Sequence, residues 1–359
     1  MTDEKNSGLT PEEQAARGGL KNYKPRVYEK IQKFDEKLKK GESIAIIQFQ
    51  YDYTCNFHCH HCCITRLRRP AGTRCFTIPD VKEFSRQADE MGLAHWVITG
   101  GEPLCFKDFD KLVEAIDPSK YYLTSDTNGW FLDDAKAKHL KSIGLDKIQL
   151  SLDSLNAKEH DEFRRAPGSH ARAVRAIDAA LNAGLKIILA TVVTKQRVRS
   201  DEFIEFLEFA KGKGIGTFVT YAKPVGDWEG RTDILVDRSD MDYMRELEKK
   251  YNVFTHLTPA YGLDLGCIAV KRMFSVTKYG DIMPCPYIHT SLGNFFKEPL
   301  KDIVSRGLNI KFFGKHIDTC LIAEDRHFLG EYEAKRITGK PVPVPYKEVF
   351  GPEDMIKPE

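Results

Sequence analysis

Six short runs of apolar, largely β-branched residues, at 44–49, 96–99, 121–125, 148–152, 187–193 and 218–221, alternate with stretches that carry a helical apolar stripe. This alternation constrains the fold more than any other feature. Strands separated by a helix pair in parallel, through right-handed crossovers. The helices carry their own boundary signals. Thr77-Ile78-Pro79-Asp80 reads as an N-cap with proline in the first turn, ahead of Val81, Phe84, Ala88 and Met91 on one face. Ala173, Ile177, Ala180 and Leu181 form a second stripe closed by Gly184, and Ser200-Asp201 opens a third. Six such units give an α/β fold that either closes partly into a barrel or stays an open wound sheet.

The flanks differ in character. Residues 1–26 are polar and are expected to wrap loosely, followed by one leading helix over 27–40 with Val27, Ile31, Phe34 and Leu38 on a single face. Beyond Tyr251 the apolar pieces shorten and turn residues multiply; from Gly339 the chain is proline-rich and is expected to run extended over the surface. The reading divides the chain into 1–43, 44–251, 252–329 and 330–359. The 54 Lys and Arg against 52 Asp and Glu leave a net charge of +2, which provides no bulk attraction to nucleic acid or anionic lipid. No apolar run is long enough for a membrane span and the first residues lack the layout of a signal peptide, so a cytoplasmic protein is expected. Of nine cysteines, Cys55, Cys59 and Cys62 lie within eight residues, a crowding that points to metal chemistry rather than disulfides.

The segment Cys55-Asn56-Phe57-His58-Cys59-His60-His61-Cys62 directly follows the first strand. Three thiolates at this spacing can hold an iron–sulfur cluster with one iron left open, and Cys63 is expected to point away. A zinc knuckle that adds His58, His60 or His61 to the cysteines uses the same residues.

With its context, this loop resembles the cluster motif of the radical S-adenosylmethionine (SAM) enzymes. Thr99-Gly100-Gly101-Glu102-Pro103 at the end of the second strand and Leu150-Ser151-Leu152-Asp153-Ser154 at the fourth match further motifs of that family, as does Arg164 after His160. The resemblance spans about 44–225. It implies a partial (β/α)6 TIM-like barrel in which a 4Fe-4S cluster on Cys55, Cys59 and Cys62 binds SAM at its open iron. It places Gly100, Gly101 and Glu102 at the SAM ammonium, Ser151 and Asp153 at the ribose, and Arg164 at the carboxylate. His61 stands where the family usually has an aromatic residue near the adenine. The ordinary roles of Asp153 and Arg164 would be a helix cap and a surface ion pair. An external one-electron donor of flavodoxin or ferredoxin type is implied as well.

Cys267, twelve residues, Gly280, four residues and Cys285 resemble the opening of the SPASM or twitch extension, with a β-hairpin turning at Gly280. Only Cys320 follows, so one auxiliary 4Fe-4S cluster on Cys267, Cys285 and Cys320 is the most that this small C-terminal segment supports. Its fourth iron is open or takes His316, Asp318, Asp325 or His327, unless Cys320 is not a ligand. Cys105, two residues past the Gly-Gly-Glu-Pro turn, is a hydrogen-atom donor or a packing residue. Asp126, Asn128, Lys195, Tyr221 and Lys223 end strands and can face substrate, with Lys195 or Tyr221 as general base; plain strand-end solvation is the alternative. Trp228 and the charges at 227–233 are expected to form a mobile loop over the site. The expected reaction is hydrogen-atom abstraction from a small molecule, a sugar or natural-product precursor, and dehydrogenation with the auxiliary cluster as electron acceptor. A peptide-modifying maturase or epimerase, and a non-catalytic zinc or iron–sulfur module, are the competing readings.

Overall fold

The structure is a computed structural model, and it describes residues 18–357. The six expected runs form strands β1 (Ile46–Asp52), β2 (His95–Gly100), β3 (Tyr122–Thr127), β4 (Lys147–Ser151), β5 (Lys186–Val193) and β6 (Gly216–Tyr221). They pair in parallel in sequence order. In β1 all five central residues are buried, as a parallel sheet covered on both faces requires. Phe49 on β1 meets Phe76, Phe84 and Trp96 at ring centroid distances of 4.9, 5.8 and 5.2 Å, which joins the helix Ile78–Glu90 to the sheet. That helix starts with the expected cap: Thr77 Oγ1 accepts from Asp80 N–H, and the Asp80 carboxylate accepts from Thr77 N–H at 2.9 Å.

The sheet is larger than the six units. β7 (Val253–Phe254) adds in parallel beside β6, and β8 (Met273–Val276) adds in parallel beside β1. The expected hairpin is present: β8 turns back into β9 (Asp281–Met283), with Ser275 opposite Met283 and Val276 opposite Ile282. β10 (Thr290–Ser291) belongs to a separate two-stranded sheet, and the order of the ten-stranded sheet is β11-β9-β8-β1-β2-β3-β4-β5-β6-β7, where β11 is Gly293–Asn294. It is an open sheet and not a closed barrel. The chain after Tyr251 therefore runs from one end of the series β1–β6 to the other.

Both flanks differ from expectation. Residues 1–17 lie outside the described residues. The remainder of the stretch 1–26 is anchored, because the Lys24 ammonium is buried against Asp146 at 2.5 Å and the Tyr121 carbonyl at 2.7 Å. The leading helix is two helices, Pro25–Gln32 and Phe34–Lys39, broken at Lys33. The proline-rich end is not extended over the surface. Val344, Val349 and Phe350 are buried, and Phe350 packs on Phe312, Phe313 and Tyr332. Proline limits helix formation there, but it leaves the intervening apolar side chains free to enter the core.

Candidate functional site

At the C-terminal ends of the strands, the chain leaving β1 forms the three-cysteine loop, and the end of β2 packs against it backbone to backbone. Gly101 N–H donates to Asp52 O and Glu102 N–H to Thr54 O, both at 2.8 Å. A Cβ at Gly100 would lie 2.2 Å from Asp52 O, and one at Gly101 would lie 2.1 Å from Thr54 O, so only glycine fits this approach. The buried Glu102 carboxylate accepts from Thr127 Oγ1 at 2.7 Å, Asn128 N–H at 2.7 Å and Leu104 N–H at 3.1 Å. It thereby ties the end of β2 to the end of β3. Asn128 in turn donates to Asn56 in the cysteine loop at 2.9 Å.

The cysteine loop opens on a cavity of about 750 Å³ lined by Cys55, Cys59 and Cys62, together with Gly100, Gly101, Glu102, Ser151, His61 and Arg164. Burial raises the Cys55 thiol to about 12 and raises Cys59 and Cys62 as well, so these groups stay protonated until a metal displaces the proton. No group of three His, Cys, Asp or Glu side chains among the described residues is arranged to hold one metal ion. Three thiols around one cavity suit a cube that carries each thiolate on its own iron.

Arg164 reaches the cavity from the helix Ala157–Arg164, whose N-cap Asn156 accepts from Lys158 N–H and Glu159 N–H. Its Nε donates to Asp153 at 2.6 Å, and Nη1 stands 3.9 Å from Cys59 Sγ. Burial opposes the Arg164 charge, but the Asp153 carboxylate outweighs it and keeps the guanidinium ionised. The other Asp153 oxygen accepts from Val192 N–H at 2.9 Å, and the Asp153 N–H donates to His160 Nδ1 at 3.1 Å. Both carboxylate oxygens are thus engaged, and Asp153 does not line the main cavity. The helix spacing explains His160 and Arg164: four residues apart, they share the face turned to Asp153. His61 stacks on Phe163 at 4.5 Å and lies beside Trp228 at 5.9 Å. Burial lowers its pKa to about 3, so the ring is neutral. The Trp228 loop is fixed here, because Gly226 (φ +62°) approaches the Cys62 carbonyl so closely that a Cβ would lie 2.1 Å from it.

The candidates for proton and hydrogen transfer separate. Lys195 is about half exposed, paired with Asp237, and away from the cavity. Tyr221 lines the cavity, but burial raises its phenol far above the range in which it could take a proton. Cys105 lies outside the cavity with its thiol toward Asn56 at 3.8 Å. Asp126 differs from these three. It lines the cavity, its Oδ1 is buried with no hydrogen-bond partner among the described residues, and burial raises it to about 7.

The second cysteine set gathers at a small cavity of its own, lined by Cys267, Cys285 and Cys320 with Lys223, His256 and Tyr287. Cys267 is placed by a bridge between Gly266 and Ile317, with Cys267 N–H donating to Ile317 O at 2.6 Å. Gly266 is at φ +57°, and a Cβ would lie 2.0 Å from that carbonyl. His316, Asp318, Asp325 and His327 do not line this cavity. Asp325 instead caps a short helix by accepting from Phe328 N–H. Spacing could not reveal His256, which follows the two-residue strand β7.

Residues 52–221 match the family described as Radical SAM superfamily. Residues 52–221 thus form a radical SAM superfamily domain, and enzymes of that superfamily use a 4Fe-4S cluster with SAM, an external electron donor and a substrate. Among curated proteins the chain is 29% identical to GTP 3′,8-cyclase of Nautilia profundicola, over 76% of this chain and 87% of that one. It is 25% identical to AdoMet-dependent heme synthase of Methanosarcina barkeri, over 72% of this chain and 81% of that one. Among solved structures, Streptococcus suis SuiB bound to precursor peptide SuiA shares the fold with a TM-score of 0.59 at 21% identity, over 76% of this chain and 68% of that one. No helix among the described residues is long and apolar enough to cross a membrane.

Proposed function

We propose that this radical SAM enzyme removes a hydrogen atom from a small molecule of the sugar or natural-product precursor class. Asp126 takes the proton that the substrate must also lose, and Cys267, Cys285 and Cys320 would hold a second cluster that could supply an acceptor for the remaining electron. The supporting observation is the arrangement of two three-thiol cavities that share Lys223 and Tyr287 as a common wall, with Asp126 lining the larger one. When bound, the first cluster and SAM supply a 5′-deoxyadenosyl radical. Around them, Arg164 holds the SAM carboxylate and Asp153 holds Arg164; Ser151 serves the ribose, His61 the adenine, and the Gly100 and Gly101 carbonyls the ammonium. The substrate loses a hydrogen atom, a proton and an electron in total, which is a two-electron dehydrogenation. A flavodoxin- or ferredoxin-type donor supplies the electron that starts each turnover. The relatives named for GTP and for heme favour a small-molecule substrate over a peptide.

Anaerobic reconstitution tests this. About eight irons with matching sulfide per chain are expected, four for each cube. With SAM and reductant, a sugar-type substrate should raise 5′-deoxyadenosine above the uncoupled background. Zinc without sulfide, or stimulation by peptides alone, overturns the proposal.

A further inference from the structure

Lys223, two residues beyond β6, is only 4% exposed. Its ammonium donates to the Tyr221 carbonyl at 2.6 Å and stands 4.4 Å from the centre of the Tyr287 ring. Two other buried lysines, Lys24 and Lys30, have carboxylate partners in Asp146 and Asp89, whereas Lys271, beside Cys267, donates only to the Lys315 carbonyl. Burial lowers the Lys223 pKa, and the ionisable groups facing it are the thiols of Cys320, Cys285, Cys63 and Cys267 and the His256 ring, none of them a carboxylate. A buried cation without an anion is unfavourable, so this position calls for a negative group. Three thiolates carrying an iron–sulfur cube are such a group, and Lys223 lines the cavity where Cys267, Cys285 and Cys320 meet.

On this basis we infer that Lys223 is the fixed counter-charge of the second cluster and sets its reduction potential. The inference rests on the second cluster of the proposed function and assigns this chain's own residue to its control. Each electron the cluster accepts makes it more negative, so a buried ammonium beside it stabilises the reduced form more than the oxidised form. The effect raises the potential and favours electron acceptance. Lys223 and Tyr287 also border the SAM cavity, so the charge stands on the side from which the electron would arrive.

The test uses the full chain with Cys55, Cys59 and Cys62 all replaced by Ala, so that only the second cluster remains. Iron and sulfide are counted first; about four irons per chain are expected. The potential is then titrated by EPR. Lys223→Met should shift the ratio of oxidised to reduced cluster about tenfold toward oxidised at fixed potential, a fall of about 59 mV in midpoint. Lys223→Arg, which keeps the charge, should restore most of the shift. Equal midpoints in the parent and in Lys223→Met overturn the role of Lys223 and leave the cluster standing. Loss of the cluster from the Met and Arg variants alike marks a packing role and also overturns it. A parent that holds no iron overturns the second cluster itself.

Discussion

Asp126 is held between two demands. Its burial beside the SAM cavity disfavours charge, yet a proton acceptor must ionise to work, and a pKa of about 7 sits where both are met. Turnover should therefore rise with pH through about 7. Asp126→Asn should remove that rise and the oxidised product, while 5′-deoxyadenosine formation continues; loss of both together would assign Asp126 to SAM binding. The same group gives a stability test. Its folded pKa lies above the unfolded value near 3.8, so the folded state holds its proton more tightly and stability falls as pH rises from about 4 to 7. Asp126→Asn should consequently stabilise the chain by about 1 kcal/mol at pH 8 and have no effect below pH 4, by denaturant unfolding at both pH values. Asp153 acts by a different route. It holds Arg164 in a buried pair, so Asp153→Ala should cost about 3 kcal/mol of stability and weaken SAM binding by equilibrium dialysis. An unchanged SAM affinity would show that Arg164 keeps its place without the carboxylate.

At the level of elements, the cysteine loop depends on the turn after β2 as much as on its own cysteines. Gly101→Ala, whose Cβ would meet Thr54 O at 2.1 Å, should push the loop away and leave the chain short of about four irons after reconstitution. Gly212→Ala, with open space around it, should load iron fully. Equal iron content in the two variants would show that the loop tolerates displacement. These motifs were legible in the sequence because strand-end positions follow from a period of two, and because glycine pairs mark close backbone approach. The β8–β9 hairpin was legible for a similar reason, since Gly280 stands between two apolar runs. Other features left no such trace. β7 has two residues and no periodicity, so neither it nor His256 beyond it could be placed. Lys195 follows a strand as Lys223 does, but only the folded chain shows that Asp237 draws one outward while the Tyr221 carbonyl and the Tyr287 ring hold the other inside. The proline-rich end misled because composition reports the backbone's preference and not where Val344 and Phe350 find partners.

Across the whole molecule, the second cysteine cavity joins the two ends of the β1–β6 series. Lys223, His256 and Leu257 come from the β6–β7 end, whereas Cys267, Ile268 and Met273 lead into β8 at the β1 end. An open sheet has no hydrogen bonds across that gap, so a cluster held there would link edges that the backbone leaves separate. A group that binds the folded chain and not the unfolded one stabilises it by mass action, and the gain is local to the elements that it joins. Hydrogen exchange should therefore report the second cluster independently of activity. In Cys267→Ala with Cys285→Ala, protection should fall at β7, β8 and β9. It should hold at β2, β3 and β4, which lie in the middle of the sheet and contribute no residue to the second cavity. A uniform fall would mean that the cysteines support the core as a whole. Protection that falls at only one of β7 and β8, with full iron loading in the parent, would mean that the cluster binds one edge alone.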